Sequence, residues 1–250
     1  MLKDITRKIV NFLGYDLVKI KSQTTLEVIS KYTTSKLDPN REKSGLNEFV
    51  LKSIQNATFN YKYKGINCIK NPFDIAIYTK LIYDLQPKTI VEVGSAYGGS
   101  ALWFADQLRN FNIDGKIYSL DIELPVGVID PIVTFLAGNI YELQNSELPG
   151  ILERAERPLL VIEDGPHRFE SCVCALNFFD QYLSSGEYIV IEDGIVNDLG
   201  KEYEKYENGP NKAIATFLNN HPGKYIIDYN LCDYYGHNFT WNTNGYLRKV

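Results

Sequence analysis

Residues 158–168 read PLLVIEDGPHR and residues 187–194 read EYIVIEDG. Each is an apolar run that ends in an acid pair, Glu163-Asp164 in the first and Glu192-Asp193 in the second. Runs such as Leu159 to Ile162 and Tyr188 to Ile191 predict strands buried on both faces, as in a parallel sheet. The acid pairs then stand where two strands leave the core, the edge at which open α/β sheets bind ligands. Neighbouring strands lie roughly 4.8 Å apart, so adjacent strands would bring these carboxylates to one spot. Crowded carboxylates resist ionising unless a cation compensates them. An all-oxygen cluster suits Mg²⁺ or a similar hard divalent ion. Acids at strand ends also cap helices or face solvent, but the same pair repeated across one helix-sized segment favours the ion.

Working outward, strands are predicted over residues 89–93, 116–120, 133–136, 159–162 and 188–191, with helices over 99–111, 147–155, 169–183 and 211–219. Two more strands, near 225–229 and 239–248, follow without an intervening helix. Alternating strand and helix predict a mostly parallel, doubly wound sheet, and the last two strands an antiparallel finish. This is the outline of a Rossmann-like, class I methyltransferase. Residues 1–60 are expected to form an N-terminal helical extension, with the catalytic domain over 61–250. The polar stretch 34–48 reads as a boundary or loop.

VEVGSAYGGS (91–100) is a strand, a glycine turn and a helix start. Glycine permits positive φ and a close approach of ligand to backbone. The spacing is not G-x-G-x-x-G, which disfavours NAD or FAD. One strand later, Asp121 in SLDIE stands where a carboxylate receives the two ribose hydroxyls of a nucleoside. With no phosphate cradle visible, S-adenosylmethionine fits. Glu92, Gly94, Ser95, Tyr97, Gly99 and Ser100 are the candidates for its methionine portion, and Asn139 for the neighbourhood of the adenine.

The chain has 250 residues, 44% of them hydrophobic, enough for one substantial core. A net charge of -5 argues against a nucleic-acid partner, which would need clustered Lys and Arg. No run approaches the roughly 20 apolar residues of a membrane span and no signal peptide opens the chain, so a cytoplasmic protein is expected. Residues 1–21 place Ile5, Ile9, Val10 and Leu13 at helical spacing among Lys3, Arg7 and Lys8. That pattern fits a peripheral contact with an anionic membrane, or, as preferred, a short helix packed on its own domain or on a second subunit of a homo-oligomer. The four cysteines show no zinc spacing and are expected to be reduced. Of three histidines, only His167 lies beside an acid pair.

The ordered blocks NPFDIAIYTKLI, VEVGSAYGGSALWFAD, VIEDGPH, GEYIVIEDG, GPNKAIATFL and NGYLRKV resemble the cephalosporin hydroxylase family, which includes rhamnosyl O-methyltransferases. The resemblance covers roughly residues 62–250. It implies an S-adenosylmethionine-dependent methyltransferase with a Mg²⁺ site held by Asp164, Glu192 and Asp193. Where that family often shows D-S-D-H, this chain has Asp164-Gly165-Pro166-His167. The second acid, and any role it has, is therefore missing.

The expected activity is metal-dependent methylation of a hydroxyl on a sugar, as in surface-glycan biosynthesis, or on a glycosylated natural product. Catalysis is assigned to Asp164 through the ion and to His167 as general base or as an orienting neighbour of the metal ligands. A nearby Lys or Tyr is the other source of a base. The alternatives are a small non-sugar acceptor, or a binding partner that keeps the fold without turnover. A hydroxylase is disfavoured, because no two-histidine-one-carboxylate set is present. Aromatics in NYKYKG (60–65) and DYYGHNFTWNTNGY (233–246) are the expected stacking faces for the acceptor.

Overall fold

Five short runs form the parallel centre of the sheet: β4 (Thr89–Val93), β5 (Lys116–Asp121), β6 (Val133–Ala137), β7 (Leu159–Glu163) and β8 (Tyr188–Ile191). The computed structural model describes residues 33–34, 41 and 43–250. Before the central strands come β1 (Thr33–Thr34), α1 (Glu48–Thr58), a hairpin of β2 (Lys62–Tyr63) and β3 (Ile66–Asn67), and α2 (Pro72–Leu85). Between and after them come α3 (Gly99–Asn110), α4 (Leu148–Leu152), α5 (Phe169–Asp180), α6 (Gly209–Asn220), β9 (Tyr225–Asp228), α7 (Tyr229–Cys232) and β10 (Tyr246–Lys249).

The sheet runs β1-β9-β10-β8-β7-β4-β5-β6. Strands β4 to β8 are parallel, whereas β10 is antiparallel to both β8 and β9. Every residue of β4 and β7 is buried, as expected of strands covered on both faces. Because the chain leaves β4 toward β5 and returns on its other side at β7, the topological switch lies at the carboxyl end of β4. The rule for open α/β sheets places the ligand crevice there.

The predicted mostly parallel sheet with an antiparallel finish is what forms, with two differences near the C-terminus. Residues 239–245, expected to extend the last strand, form an irregular buried segment, and only Tyr246–Lys249 is strand. Thr240, Asn242, Thr243 and Asn244 there are fully buried. Their side chains bond Asp74, Tyr78, Tyr246, Asn211 and the Arg41 carbonyl rather than a ladder. Asn238 and Asn244 take positive φ, which a strand excludes. The second difference is that the last two strands are joined through a short helix, α7, capped by the Asp228 carboxylate.

The 34–48 stretch, where described, is stitched to the loops that follow β8 and α7. The Ser44 amide donates to Asp198, the Gly45 amide to the His237 carbonyl, and Arg41 pairs with Asp233. Residues 1–21, read above as a helix, lie outside the described residues. None of the described helices is long and apolar enough to cross a membrane.

Candidate active site

Four strand ends deliver the site. Gly94 follows β4, Asp121 ends β5, Asp164 follows β7, and Glu192-Asp193 follows β8. All five line one cavity of about 630 Å³. Gly94, at φ +109°, is required by a close crossing: a Cβ there would lie 2.0 Å from the Asp164 carbonyl oxygen. The glycine thus lets the first strand's turn lie directly against the acid loop.

On the cavity's glycine-turn side, Asp121 is held by two backbone amides, Ala96 at 2.8 Å and Ile122 at 2.7 Å. Gly94, Ser95, Tyr97, Ser100 and Asn139 also line the cavity. Glu92 lies behind them, fully buried, with Oε2 accepting from Ser119 and Oε1 left without a partner. Burial raises its carboxyl above the ordinary range, opposed by the charge of Lys70. Gly99 does not line the cavity. Its role is packing, since a Cβ would lie 2.2 Å from the Asn67 carbonyl.

The two acid pairs turn out not to be equivalent. Glu163 is the register partner of Ile191, so Glu192 stands one step beyond, level with Asp164. Glu163 is fully buried, accepting from the Cys172 thiol at 3.2 Å and from the Gly165 amide. The converging carboxylates are therefore Asp164, Glu192 and Asp193, joined by His167, whose Nε2 lies 3.2 Å from Asp193 Oδ2. Ligand atoms of Asp164, His167 and Asp193 fall within 4.8 Å of one another, so His167 rather than the expected Glu192 completes the closest group, the Glu192 oxygens being held by Lys70 and Tyr78. Burial raises the Asp193 carboxyl, with His167 acting against the shift.

Two residues that the sequence did not flag complete the cluster. Lys70, 4% exposed, donates to Asp164 at 2.5 Å and to Glu192 at 2.6 Å. Tyr78 donates to the other Glu192 oxygen at 2.6 Å. Burial and the Asp164 charge push the Glu192 carboxyl well above its ordinary value, opposed by Lys70. For Lys70, burial favours the neutral amine, but the charges of Asp164 and Glu192 outweigh it. The one available signal was position: Lys70 immediately precedes Asn71, the cap of α2.

The remaining wall is aromatic and apolar, with Phe59, Ile69, Leu199, Tyr203, Tyr206 and Trp241. Tyr203 and Tyr206 stack at 6.2 Å, and the His167 ring meets Tyr206 edge-on at 5.9 Å. Of the two aromatic stretches expected to face the acceptor, only Trp241 does so. Tyr61 is outside the lining, and the Tyr63 hydroxyl is turned to Asp106. Tyr203 and Tyr206 come instead from the segment Lys201–Tyr206.

The donor sets fit both expected groups. Asp121 has lone pairs to spare for hydroxyls, and Asp164 and Asp193 with His167 offer ligand atoms close enough together for one divalent ion, whereas Glu192 lies outside that group. Each Glu192 oxygen uses one lone pair on Lys70 or Tyr78 and keeps another.

Comparison with known proteins gives the family and the fold. A curated rhamnosyl O-methyltransferase of Mycobacterium leprae (strain TN) is 28% identical over 195 residues, covering 74% of this chain and 81% of that protein. Its counterpart in Mycobacterium tuberculosis (strain ATCC 25618 / H37Rv) is 28% identical over 192 residues, 74% of this chain and 76% of that one. Among solved structures, a CmcI structure with Mg and SAM superposes with a TM-score of 0.60 at 21% identity, covering 94% of this chain and 89% of that one. A CmcI apo-structure gives 0.62 at 20% identity, covering 94% and 88%. These two show the fold. Residues 55–250 match the family described as rhamnosyl O-methyltransferase/CmcI, and the chain is a member of that family.

Proposed function

We propose that this chain, an S-adenosylmethionine-dependent O-methyltransferase by family, methylates a sugar hydroxyl with the help of a divalent ion. The observation that carries the reading is the union, in one cavity, of a nucleoside-type wall at Asp121 with the cluster of Asp164, Glu192, Asp193 and His167. When bound, the cofactor supplies an electrophilic methyl group and the ion supplies positive charge at the acceptor oxygen.

The chain's own residues do the rest. Asp121, locked by two amides, receives the ribose hydroxyls, and Ser95 with Ser100 borders the methionine end, with Glu92 buried behind them. Asn139, whose side chain accepts from the Tyr141 amide, borders the adenine. Asp164, Glu192 and Asp193 would hold the ion. His167 takes the hydroxyl proton, and Asp193 Oδ2, 3.2 Å from the ring's Nε2, pairs with the imidazolium so formed. The Tyr203, Tyr206 and Trp241 rings stack on the acceptor and keep water from the reacting centre. Fixing donor and acceptor in line removes much of the entropic barrier.

Incubation with S-adenosylmethionine, Mg²⁺ and a panel of simple rhamnosides, other deoxyglycosides and non-sugar alcohols tests the reading. Formation of methylated glycoside and S-adenosylhomocysteine is expected for a sugar. Turnover confined to non-sugar acceptors would refute the sugar, and no turnover with any acceptor would favour a binding role. A separate expectation concerns the cofactor: Asp121→Ala should weaken S-adenosylhomocysteine binding in calorimetry by about tenfold or more, because two charge-assisted hydrogen bonds are lost. Wild-type affinity in that variant would remove Asp121 from the ribose.

A further inference from the structure

Lys70 is the residue in the site that the proposed reaction leaves without a task. It reaches the cluster from the turn between β3 and α2, 122 positions away in sequence from Glu192, and is nearly inaccessible. Its ammonium spans the ends of two strands, with one hydrogen on Asp164 after β7 and another on Glu192 after β8. Tyr78, from α2, adds a neutral donor to the same glutamate. The pocket is otherwise acidic: among the described residues, Lys70 is the one Lys or Arg in its lining, against Asp121, Asp164, Glu192 and Asp193.

We infer that Lys70 is a built-in cation that positions Asp164 and Glu192 and sets the charge of the ion the cluster accepts. This rests on the metal site proposed above. Three carboxylates alone carry three negative charges and would be best neutralised by a trivalent ion or by more than one divalent ion. With a fixed ammonium among them the surplus falls to two, which one divalent ion neutralises. The same ammonium repels any added cation in proportion to that cation's charge, so it penalises a trivalent ion more than a divalent one. A lysine is suited to the task because its compact point charge sits between two carboxylates, whereas a hydroxyl such as that of Tyr78 offers direction without charge.

The test reads ion binding in the whole chain without turnover, so it does not depend on the acceptor. Mn²⁺ and Tb³⁺ affinities are measured by calorimetry and by terbium luminescence, with Asp164→Ala as the blank for unrelated surface acids. In Lys70→Met the preference for Tb³⁺ over Mn²⁺ should rise by about tenfold or more relative to wild type. Lys70→Arg, which keeps the charge, and Tyr78→Phe, which removes only a neutral donor, should leave that ratio within about threefold of wild type. If Lys70→Met folds poorly, its melting temperature should be raised more by Tb³⁺ than by Mn²⁺, and equal or absent rescue would overturn the assignment. A folded Lys70→Met that loses affinity for both ions in proportion would likewise overturn it, leaving the lysine a purely structural tie. Absence of Asp164-dependent ion binding in wild type would remove the metal site itself and this role with it, an outcome distinct from an unchanged ratio.

Discussion

Exhaustive chelation, or Asp164→Ala, should reduce methyl transfer by at least about 10³-fold while S-adenosylhomocysteine still binds. The separation follows from the layout of the cavity. The residues assigned to the cofactor come from β4 and the turn after it, the end of β5 and the loop after β6, and the carboxylates from the ends of β7 and β8. Removing Asp164 takes away one of three oxygen ligands and one of the two carboxylates on Lys70, but leaves the Lys70–Glu192 pair at 2.6 Å. The fold should survive, since Asp164 lies at the cavity surface with its side chain 21% exposed. Rate with and without chelator, set beside calorimetric cofactor affinity, checks both halves. Activity that persists after complete ion removal would mean the carboxylates serve another purpose, and lost cofactor binding in Asp164→Ala would mean the two halves of the cavity are not independent.

His167→Asn should lower the rate by roughly 10² to 10⁴ with ion affinity preserved, and the loss should shrink as pH rises and solvent takes the proton. Asparagine is the informative replacement because His167 sits at φ +55°, a conformation Asn tolerates and most other residues resist. The ring is placed for proton transfer by Asp193 at 3.2 Å on one side and the edge of Tyr206 on the other. Its Nδ1 is buried without a partner. A histidine that merely orients metal ligands would give a different signature, weaker ion binding restored by excess Mg²⁺. Rate measured against both pH and Mg²⁺ in this one variant therefore assigns the role, and unchanged activity eliminates both.

Local pattern sufficed for much of this molecule. The runs that became β4, β7 and β8 are continuous and apolar because strands covered on both faces have no solvent side. The glycine turn at 94–100 and the acids at 121, 164, 192 and 193 mark strand ends because polar groups cannot stay within such runs. These features are readable since each depends on neighbours a few residues away. Register is not of that kind. That Glu163 faces the interior and bonds Cys172 while its sequence counterpart Glu192 faces the cluster follows from a one-residue offset between β7 and β8, which reverses a side chain's direction. The segment 239–245 looked extended in sequence, yet its Asn and Thr side chains found buried partners as far away as Asp74 and took it out of the sheet. Lys70 and the tyrosines at 203 and 206 became site residues only when a turn before α2 and a segment after β8 closed over the same strand ends. A lysine's sequence neighbourhood says nothing of which carboxylates, more than ninety residues away, will compensate its burial. That is decided by the crossing of elements in space, and so by the tertiary structure alone.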